Sequence, residues 1–492
     1  MKHFSFLAVL SLAATILFAC NEIDNVGFDI GSAVEQQMAG KTHSINVSQS
    51  EASGIADMFM RSEAGTLGVA TKSADTKRIS SSATVREDGQ DLMYIFNYED
   101  GGFVIVGSTR NYYPILAYSD KGSFELQDDM GPVDVWLDET KVGIKNSSLL
   151  DDATKAQMQN LWARYDGTYD DLAQQLIAAR RPQTRSAGED ACWNRIDSLQ
   201  QEHGSEGWTY LPLSFVEDLF TDLGLESYYD AICYSAEQNH SALNETIIGY
   251  KNPVSNEVGP LIGTAWFQWG AFGKLCPNHL AGCGAVAAGQ VMFFHQYPTS
   301  MSWADTTFTW SDIPVSNDNL SKQPHLMRML GQKFQMEYRK INSATTVTKV
   351  VNGLDSLGYE VSQANHNLWS VKNELLTGRR PVIMFGSNVN SPLAAGHFWV
   401  CEGSREIIYD AIMFYTENQP YGSGNFTQGM HTLNSPGTVG GSLFYHYFYM
   451  NWGAGYHADP NLKYNGWFAM DDVEYEENNP QYLRKDIYLY VQ

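Results

Sequence analysis

Cys283 is the residue in this sequence whose setting most clearly favours chemistry, because it opens a run of small and apolar residues from 282 to 292. The run is about three turns long and predicts a buried helix with the cysteine in its first turn. The N–H groups and positive dipole end of a helix stabilise a thiolate, lowering a cysteine pKa from about 8.5 to roughly 3.5–7.5. We therefore expect a nucleophile at this position, with a small buried core residue as the alternative.

The predicted helix is unusually thin. Gly284, Ala285, Ala287, Ala288 and Gly289 leave few side-chain atoms on its surface, and a glycine inside a helix costs about 1 kcal/mol relative to alanine. We expect neighbouring segments to pack almost against its backbone.

A cysteine nucleophile needs a proton acceptor nearby and a third group that orients that acceptor. Of the 12 histidines, His397 stands at the start of an apolar run that predicts a strand, directly after a glycine-bearing loop. Asn451 is suited to bond the imidazole, and the indole of Trp452 to shield that bond. The side chain of Gln268 and the backbone N–H of Cys283 would receive a developing oxyanion, an interaction worth about 3–4 kcal/mol when one donor is removed. Taken singly, each of these side chains also fits a structural role.

Cys276, His279 and Cys283 also have the spacing of three metal ligands, C-x2-H-x3-C. A structural zinc site generally takes four ligands from motifs of recognisable spacing, and no second CxxC or HxxxH is present. We therefore predict neither a metal nor a cofactor. His279 and His295 are weaker candidates for the base, since the first precedes the helix and the second lies about 18 Å further along it.

The composition is that of a globular protein with two or three domains, since the chain has 492 residues, of which 43% are hydrophobic and 13% aromatic. Its formal charge of −24 argues against a nucleic-acid-binding surface, whose affinity depends on neutralising phosphates. An acidic exported protein fits this balance better.

The N-terminus has the organisation of an export signal. Lys2 and His3 precede an apolar run from Phe4 to Ala19 that is too short for a membrane-spanning helix, and Cys20 follows it. This arrangement resembles the lipobox of bacterial lipoproteins, although Phe18 is bulkier than the residue usual there. We expect a lipid anchor at Cys20 and a location in the outer membrane, in the periplasm or on the cell surface, with plain secretion as the alternative.

Five cysteines remain after Cys20, and an odd count in an exported protein leaves at least one thiol free or paired with another molecule. Cys283 is our candidate for that thiol. The sequence leaves open the pairing of the other four, which are Cys192, Cys233, Cys276 and Cys401.

The elements that must position these residues fall into two regions. In the first, Ser48 and Glu51 have capping-box spacing before a helix. Residues 92–108 predict a hairpin, residues 114–118 predict a further strand, and residues 137–180 have the apolar spacing of helices. The first region is therefore an α+β module followed by helices.

A segment rich in Arg, Pro and Gly separates the two regions. Residues 180–188 hold three arginines in an otherwise acidic chain, which indicates an exposed linker that is either a processing site or a plain interdomain loop. Signals from 190 to 258 are mixed.

In the second region, a helical stretch at 322–358 follows the Cys283 helix, and strand-like runs then dominate. These runs are Pro381 to Phe385, His397 to Glu402, Ile407 to Tyr415, Phe444 to Asn451, Gly466 to Met470 and Ile487 to Val491. A helical half and a β-rich half, with the nucleophile helix at their junction, predict a cleft between two lobes.

Taken together, the order Gln268, Cys283, His397, Asn451, Trp452 resembles the streptopain family of papain-like cysteine peptidases. The resemblance is carried by Gly282-Cys283 and His295-Gln296-Tyr297-Pro298 within 261–298, by Gly396-His397, and by Asn451-Trp452-Gly453 followed by Gly466-Trp467-Phe468. Residues 94–122 are similar to the propeptide of the same family.

The resemblance implies an α+β fold with a papain-like two-lobed catalytic domain, kept inactive by a propeptide until that propeptide is cut away. It implies that Cys283 is the nucleophile, that His397 is the base and then the acid, that Asn451 and Trp452 position His397, and that Gln268 supports the oxyanion. The implied reaction is hydrolysis of peptide bonds through a thioester. The implied partners are protein or peptide substrates and the chain's own propeptide.

The sequence thus divides into five parts. They are a signal peptide (1–19), a tether (20–42), a propeptide (43–180), a linker and activation region (181–258) and a catalytic domain (259–492).

Some features depart from the family. Gly284, Val286 and Gly289 replace the usual valine, threonine and alanine, and an insertion at 404–444 is expected to lengthen a loop beside the cleft and alter substrate choice. These departures support an alternative, a non-catalytic surface lipoprotein that uses the scaffold for peptide or glycan binding or for protease inhibition. A third reading is a transferase or amidase that uses the same thioester.

Overall fold

The computed structural model describes residues 44–66, 78–163, 165, 186–203, 208–215, 226–238, 242–251, 255–315, 321–387, 396–408, 411–417, 431–432, 444–453, 464–469 and 484–491. The predicted signal peptide, the anchor at Cys20, the tether and the three arginines of 180–185 lie outside these residues. Within them, no helix has the length and apolar character needed to cross a membrane.

The N-terminal module combines a sheet with helices. Its elements are α1 (Gln49–Thr66), β1 (Ile79–Glu87), β2 (Gln90–Tyr98), β3 (Phe103–Gly107), β4 (Ile115–Ser119), α2 (Pro132–Asn146) and α3 (Asp152–Ala163). The Ser48 hydroxyl accepts a hydrogen bond from the Glu51 N–H at 3.3 Å, as the capping-box spacing predicted. The predicted hairpin is β2 with β3. Strands β3 and β4 are buried at every position, which explains why these runs are continuously apolar.

The described part of 186–258 contains regular structure. Its elements are α4 (Ala187–His203), β5 (Trp208–Pro212), α5 (Glu226–Gln238), β6 (Ile247–Lys251) and β7 (Ser255–Val258). Strand β7 leads directly into the catalytic region.

The catalytic region begins with the predicted helix, α6 (Cys283–His295). It continues with β8 (Met301–Trp303), β9 (Thr306–Phe308), α7 (Gln323–Lys333), β10 (Glu337–Tyr338), β11 (Ser343–Ala344), α8 (Val347–Asp355), β12 (Tyr359–Asn365), α9 (Leu368–Leu376), β13 (Val382–Gly386), β14 (His397–Ile408), β15 (Ala411–Glu417), β16 (His431–Thr432), β17 (Phe444–Asn451), β18 (Gly466–Ala469) and β19 (Lys485–Val491). The predicted helical stretch at 322–358 is two helices, α7 and α8, separated by a short strand pair. The predicted run from Ile407 to Tyr415 is divided between β14 and β15.

One large antiparallel sheet runs through the N-terminal module and the catalytic region. Its order is β1-β2-β3-β4-β18-β17-β14-β13-β19-β12, with β7 also paired to β14. The two regions join at β4 and β18, where Tyr118 lies opposite Trp467 and Ala117 opposite Phe468. The N-terminal module therefore extends the edge of the catalytic sheet, and the predicted α+β class is confirmed.

A smaller sheet joins segments that are far apart in sequence. Its order is β16-β15-β6-β5, so that β6 lies between β5 and a strand of the insertion. Arg195 on α4 donates hydrogen bonds to both carboxylate oxygens of Glu417 at 3.0 and 3.2 Å, and the Glu417 side chain is fully buried. Helix α4 and strands β5 and β6 thus form one accessory module with strands β15 and β16 of the insertion.

The insertion begins far from the histidine. His397 is the first residue of β14 and Ile408 is the last, so about 36 Å of strand separates them at about 3.3 Å per residue. The described strands of the insertion, β15 and β16, belong to the smaller sheet. We expected the insertion to lengthen a loop beside the cleft. For β15 and β16 this expectation is wrong, because β14 leads the chain away from His397 before β15 begins.

Candidate active site

The nucleophile helix and the histidine strand pack against each other near their first residues. A Cβ atom added to Gly284 would lie 3.3 Å from the ring of Phe398, the second residue of β14, and one added to Gly289 would lie 2.7 Å from Met327 Cε on α7. A side chain at either position would push its neighbour away from the helix. The prediction that segments pack almost against the backbone of α6 is therefore confirmed.

The Cys283 sulfur is surrounded by backbone donors. The N–H groups of Phe398, Gly284 and Cys283 itself are near enough to the sulfur to lower the pKa of the thiol. Burial nevertheless raises the pKa of the thiol by more than these donors lower it. The predicted lowering of the Cys283 pKa is wrong for this form of the chain, because burial removes the solvation that a thiolate needs.

The imidazole of His397 lies against the N-terminal module. A Cβ atom added to Gly131 would lie 3.9 Å from His397 Nδ1. Burial lowers the pKa of His397, and the nearby Asp129 carboxylate raises it by a smaller amount. No hydrogen bond joins His397 to Cys283 in the described structure. The base candidate is therefore neutral at pH 7 and separate from the thiol.

The contact with His397 is made by a turn immediately before α2. Asp129 Oδ1 accepts the Gly131 N–H at 3.0 Å, and Asp134 Oδ2 accepts the Met130 N–H at 2.8 Å. Gly131 has a φ of 63°, which glycine adopts without the Cβ penalty of other residues. Two carboxylates and one glycine thus fix a backbone surface against the imidazole.

Asn451 is the last residue of β17, the strand next to β14, and Trp452 follows it; both are buried. Asn451 Nδ2 donates to the carbonyl of Thr264 at 2.7 Å and to Glu402 Oε1 at 2.9 Å, while its Oδ1 is buried without a partner. The centre of the Trp452 ring lies 5.4 Å from that of Trp399. The two candidate orienting residues are therefore near β14, and among the described residues the amide oxygen of Asn451 accepts no hydrogen bond.

The segment that carries Gln268 runs along α6. The Gln268 carbonyl accepts the Ala281 N–H at 2.8 Å, two residues before the nucleophile. Gln290 on α6 accepts hydrogen bonds from the Thr264 hydroxyl at 2.8 Å and from the Trp266 N–H at 3.2 Å. The main chain of Gln268 is therefore held beside the start of α6.

Two family matches identify the chain. Residues 44–144 match the Spi protease inhibitor family, and residues 266–460 match the Peptidase C10 family. The chain belongs to the C10, or streptopain, family. It is the zymogen of a cysteine-type peptidase, with an inhibitory propeptide and a catalytic domain in one chain. The resemblance in the sequence is confirmed, and the non-catalytic alternative is not favoured.

Two solved structures from Prevotella intermedia are similar to this C10 peptidase. A fragment of prointerpain A is 15% identical, and the match covers 83% of this chain and 98% of that one with a TM-score of 0.42. Active interpain A is 18% identical, with 47% and 94% covered and a TM-score of 0.30. No curated protein matches the chain. The assignment rests on the two family matches.

Three residues near the candidate site received no role from the sequence. Gln290 and Glu402 are polar residues inside apolar elements, and this signal identifies them, because a buried polar group needs a partner. Gly131 gives no such signal, since its contact with His397 depends on the approach of two distant segments.

The alternative zinc ligands do not form a site. His279 is exposed, whereas Cys276 is buried and burial raises the pKa of its thiol. Across the part of the chain that the structure describes, no three metal-ligating side chains are grouped to hold an ion. Cys276, Cys283 and Cys401 carry free thiols.

In the unprocessed C10 peptidase we expect Cys283 to react with iodoacetamide at pH 7 more slowly than N-acetylcysteine, because burial raises the pKa of the thiol and leaves a smaller fraction of it as thiolate. Mass spectrometry of the alkylated peptide, taken from the full-length species only, measures the rate. His397→Ala should leave it unchanged, since the imidazole does not reach the sulfur. Fast labelling at pH 6 that is lost in His397→Ala would contradict the separation.

Proposed function

We propose that this C10 zymogen is an exported cysteine endopeptidase in which Cys283 and His397 become the catalytic pair once the propeptide leaves. The observation that carries the proposal is the packing of Phe398 on the first turn of α6, where a Cβ atom added to Gly284 would lie 3.3 Å from the Phe398 ring and the Phe398 N–H lowers the pKa of the Cys283 thiol. It supports the pairing because His397 is the neighbour of Phe398. The proposed activation is a rotation of the His397 side chain away from Gly131 and towards the thiol.

The proposed reaction is acyl transfer through a thioester. His397 takes the thiol proton of Cys283, and the thiolate attacks the carbonyl carbon of the scissile peptide bond. Gln268 and the Cys283 N–H receive the negative charge on the carbonyl oxygen. His397 donates its proton to the leaving amine as the C–N bond breaks, and a water deprotonated by His397 then hydrolyses the thioester. Asn451 and Trp452 orient the imidazole throughout.

Inhibition by the propeptide is supported by the contacts of α2. Arg484 Nε donates to Glu139 Oε1 at 2.8 Å, and a second guanidinium nitrogen donates to the other carboxylate oxygen. The Trp136 indole donates to the carbonyl of Ala469 at 3.2 Å. Both contacts anchor α2 on the catalytic region, and the turn at Gly131 immediately precedes this helix. Anchoring α2 therefore keeps the turn against His397.

We propose that the mature enzyme retains the accessory module. Strand β6 pairs with β15, strand β7 pairs with β14, and Arg195 pairs with the buried Glu417. A cut within 187–251 would leave the pieces bound through these contacts. The sequence allowed an activation cut anywhere in 181–258. Because the residues from Ala187 onward are held by these contacts, we propose that the cut lies before Ala187.

Export and lipidation are supported by the sequence alone. The charged start, the apolar run to Ala19 and the position of Cys20 carry this part of the proposal. The mass of the N-terminal peptide of the unprocessed zymogen, isolated from membranes, distinguishes a lipidated Cys20 from an unmodified chain, which would refute this part of the proposal.

Cys283→Ala should abolish self-processing and lower hydrolysis of denatured casein by about 10⁴-fold or more, because removal of a catalytic nucleophile typically costs on this order. Cys276→Ala is the matched control and should retain both activities. Mass spectrometry of the wild-type products should place the new N-terminus before Ala187. Hydrolysis that survives in folded Cys283→Ala would rule out the proposed nucleophile.

Glu139→Gln should accelerate conversion of the zymogen by about 10- to 100-fold, because leaving one member of a buried ion pair without its partner costs about 3 kcal/mol. The Arg484 side chain is only 3% exposed. Glu87→Gln is the control, since Glu87 pairs with Lys145 inside the propeptide module. Gel electrophoresis over time measures both rates. Equal rates for the two variants would show that the Glu139 contact does not hold the zymogen closed.

A further inference from the structure

Glu402 is a buried carboxylate in the middle of the histidine strand. Its exposed fraction is 1%. On the neighbouring strand, Cys401 lies opposite Met450 and Gly403 lies opposite Tyr449, so that Glu402 is an extra residue at a β-bulge. Bulges of this kind re-aim a side chain and occur often beside active sites.

Backbone and side-chain donors converge on this carboxylate. Glu402 Oε2 accepts the Ile262 N–H at 2.6 Å, and the Gly263 N–H also donates to the carboxylate. Its Oε1 accepts from Asn451 Nδ2 at 2.9 Å. An ionised carboxylate accepts and never donates, so every one of these contacts requires an N–H on the other side.

This requirement fixes the amide of Asn451. One Nδ2 hydrogen goes to Glu402 and the other to the Thr264 carbonyl, and both of these partners are acceptors only. If the amide were reversed, its oxygen would face two other oxygens. Asn451 Oδ1 must therefore point away from Glu402 and from the Thr264 carbonyl. This oxygen is buried and has no hydrogen-bond partner among the described residues.

We propose that Glu402 is a positioning residue of the peptidase, which fixes the Asn451 amide so that its oxygen accepts a hydrogen bond from the His397 imidazole in the processed enzyme. The inference rests on the proposed roles of His397 and Asn451. It adds a residue that touches neither the substrate nor the reacting sulfur, and that acts through the orientation of another side chain.

A buried charge is a costly way to hold two strands together. Burial raises the pKa of Glu402 against the effect of its three donors, and apolar residues of similar volume often replace buried charges without loss of stability. A carboxylate at position 402 has one advantage over an apolar residue. It accepts and does not donate, and it therefore fixes the direction of the Asn451 amide.

Glu402→Gln tests the assignment because it replaces one acceptor oxygen with a donor. If the new amide oxygen keeps the Ile262 and Gly263 N–H groups, its NH₂ faces Asn451 and reverses that amide, which then offers an N–H to the imidazole. We expect kcat of the processed enzyme to fall about 10- to 100-fold with KM within about twofold, the scale that small misplacements of a catalytic group produce. Glu374→Gln, which changes a buried glutamate on α9 that pairs with Arg380, should leave both parameters unchanged.

A double-mutant cycle separates positioning of Asn451 from a structural effect on the segment at 262–263. In an Asn451→Ala background, Glu402→Gln should change kcat by less than about twofold, because residues that act through one another are not additive. The same loss in both backgrounds, or a kcat within twofold of wild type for Glu402→Gln alone, would overturn the assignment.

If Glu402→Gln does not fold, Glu402→Asp takes its place in the same cycle. Aspartate keeps an acceptor-only group at shorter reach, so we expect a loss smaller than 10-fold that disappears in the Asn451→Ala background, and persistence there would likewise overturn the assignment. Wild-type activity and its loss in Cys283→Ala are measured beside these variants. They test the proposed function independently of Glu402.

Discussion

The close packing of the histidine strand on the nucleophile helix is the constraint on which the rest of the site depends. The Phe398 N–H reaches the Cys283 sulfur, and this approach is possible because Gly284 has no side chain to hold Phe398 away. Of the glycines that depart from the family pattern, Gly284 therefore serves the contact between α6 and β14, and Gly289 serves the packing of α6 on Met327 of α7. They do not mark a degenerate helix.

The same strand links the catalytic residues to the inhibitor. β14 lies in the part of the sheet that the catalytic region forms, and β18, the last strand of that part, pairs with β4 of the propeptide. An exposed sheet edge readily accepts another strand, and the propeptide uses this property while α2 supplies side-chain anchors. The turn at Gly131 then occupies the surface of His397. In the proposed mechanism, inhibition thus acts on the base, because the buried imidazole of His397 stays neutral and makes no hydrogen bond to the thiol in the described structure.

The sequence was sufficient for the fold class, the nucleophile helix, most strands and the family. Periodicity, capping residues and the run of small residues around Cys283 are local signals, and they predicted local structure. The sequence did not predict the raised pKa of Cys283, since burial depends on what packs over the helix. It did not predict the accessory module, since β6 and β15 come from segments separated by the catalytic helix. The role of Glu402 depends on a bulge that periodicity does not reveal.

The proposed function requires that loss of the propeptide bring the His397 imidazole to the Cys283 sulfur. The most direct measurement is the pH dependence of Cys283 alkylation in the processed enzyme, compared with processed His397→Ala. We predict that at pH 6 the wild-type thiol reacts at least about tenfold faster than a free thiol, because an imidazolium partner stabilises the thiolate. We also predict that His397→Ala loses this advantage. If the two proteins, both folded, follow the same ordinary thiol titration, the claim is contradicted.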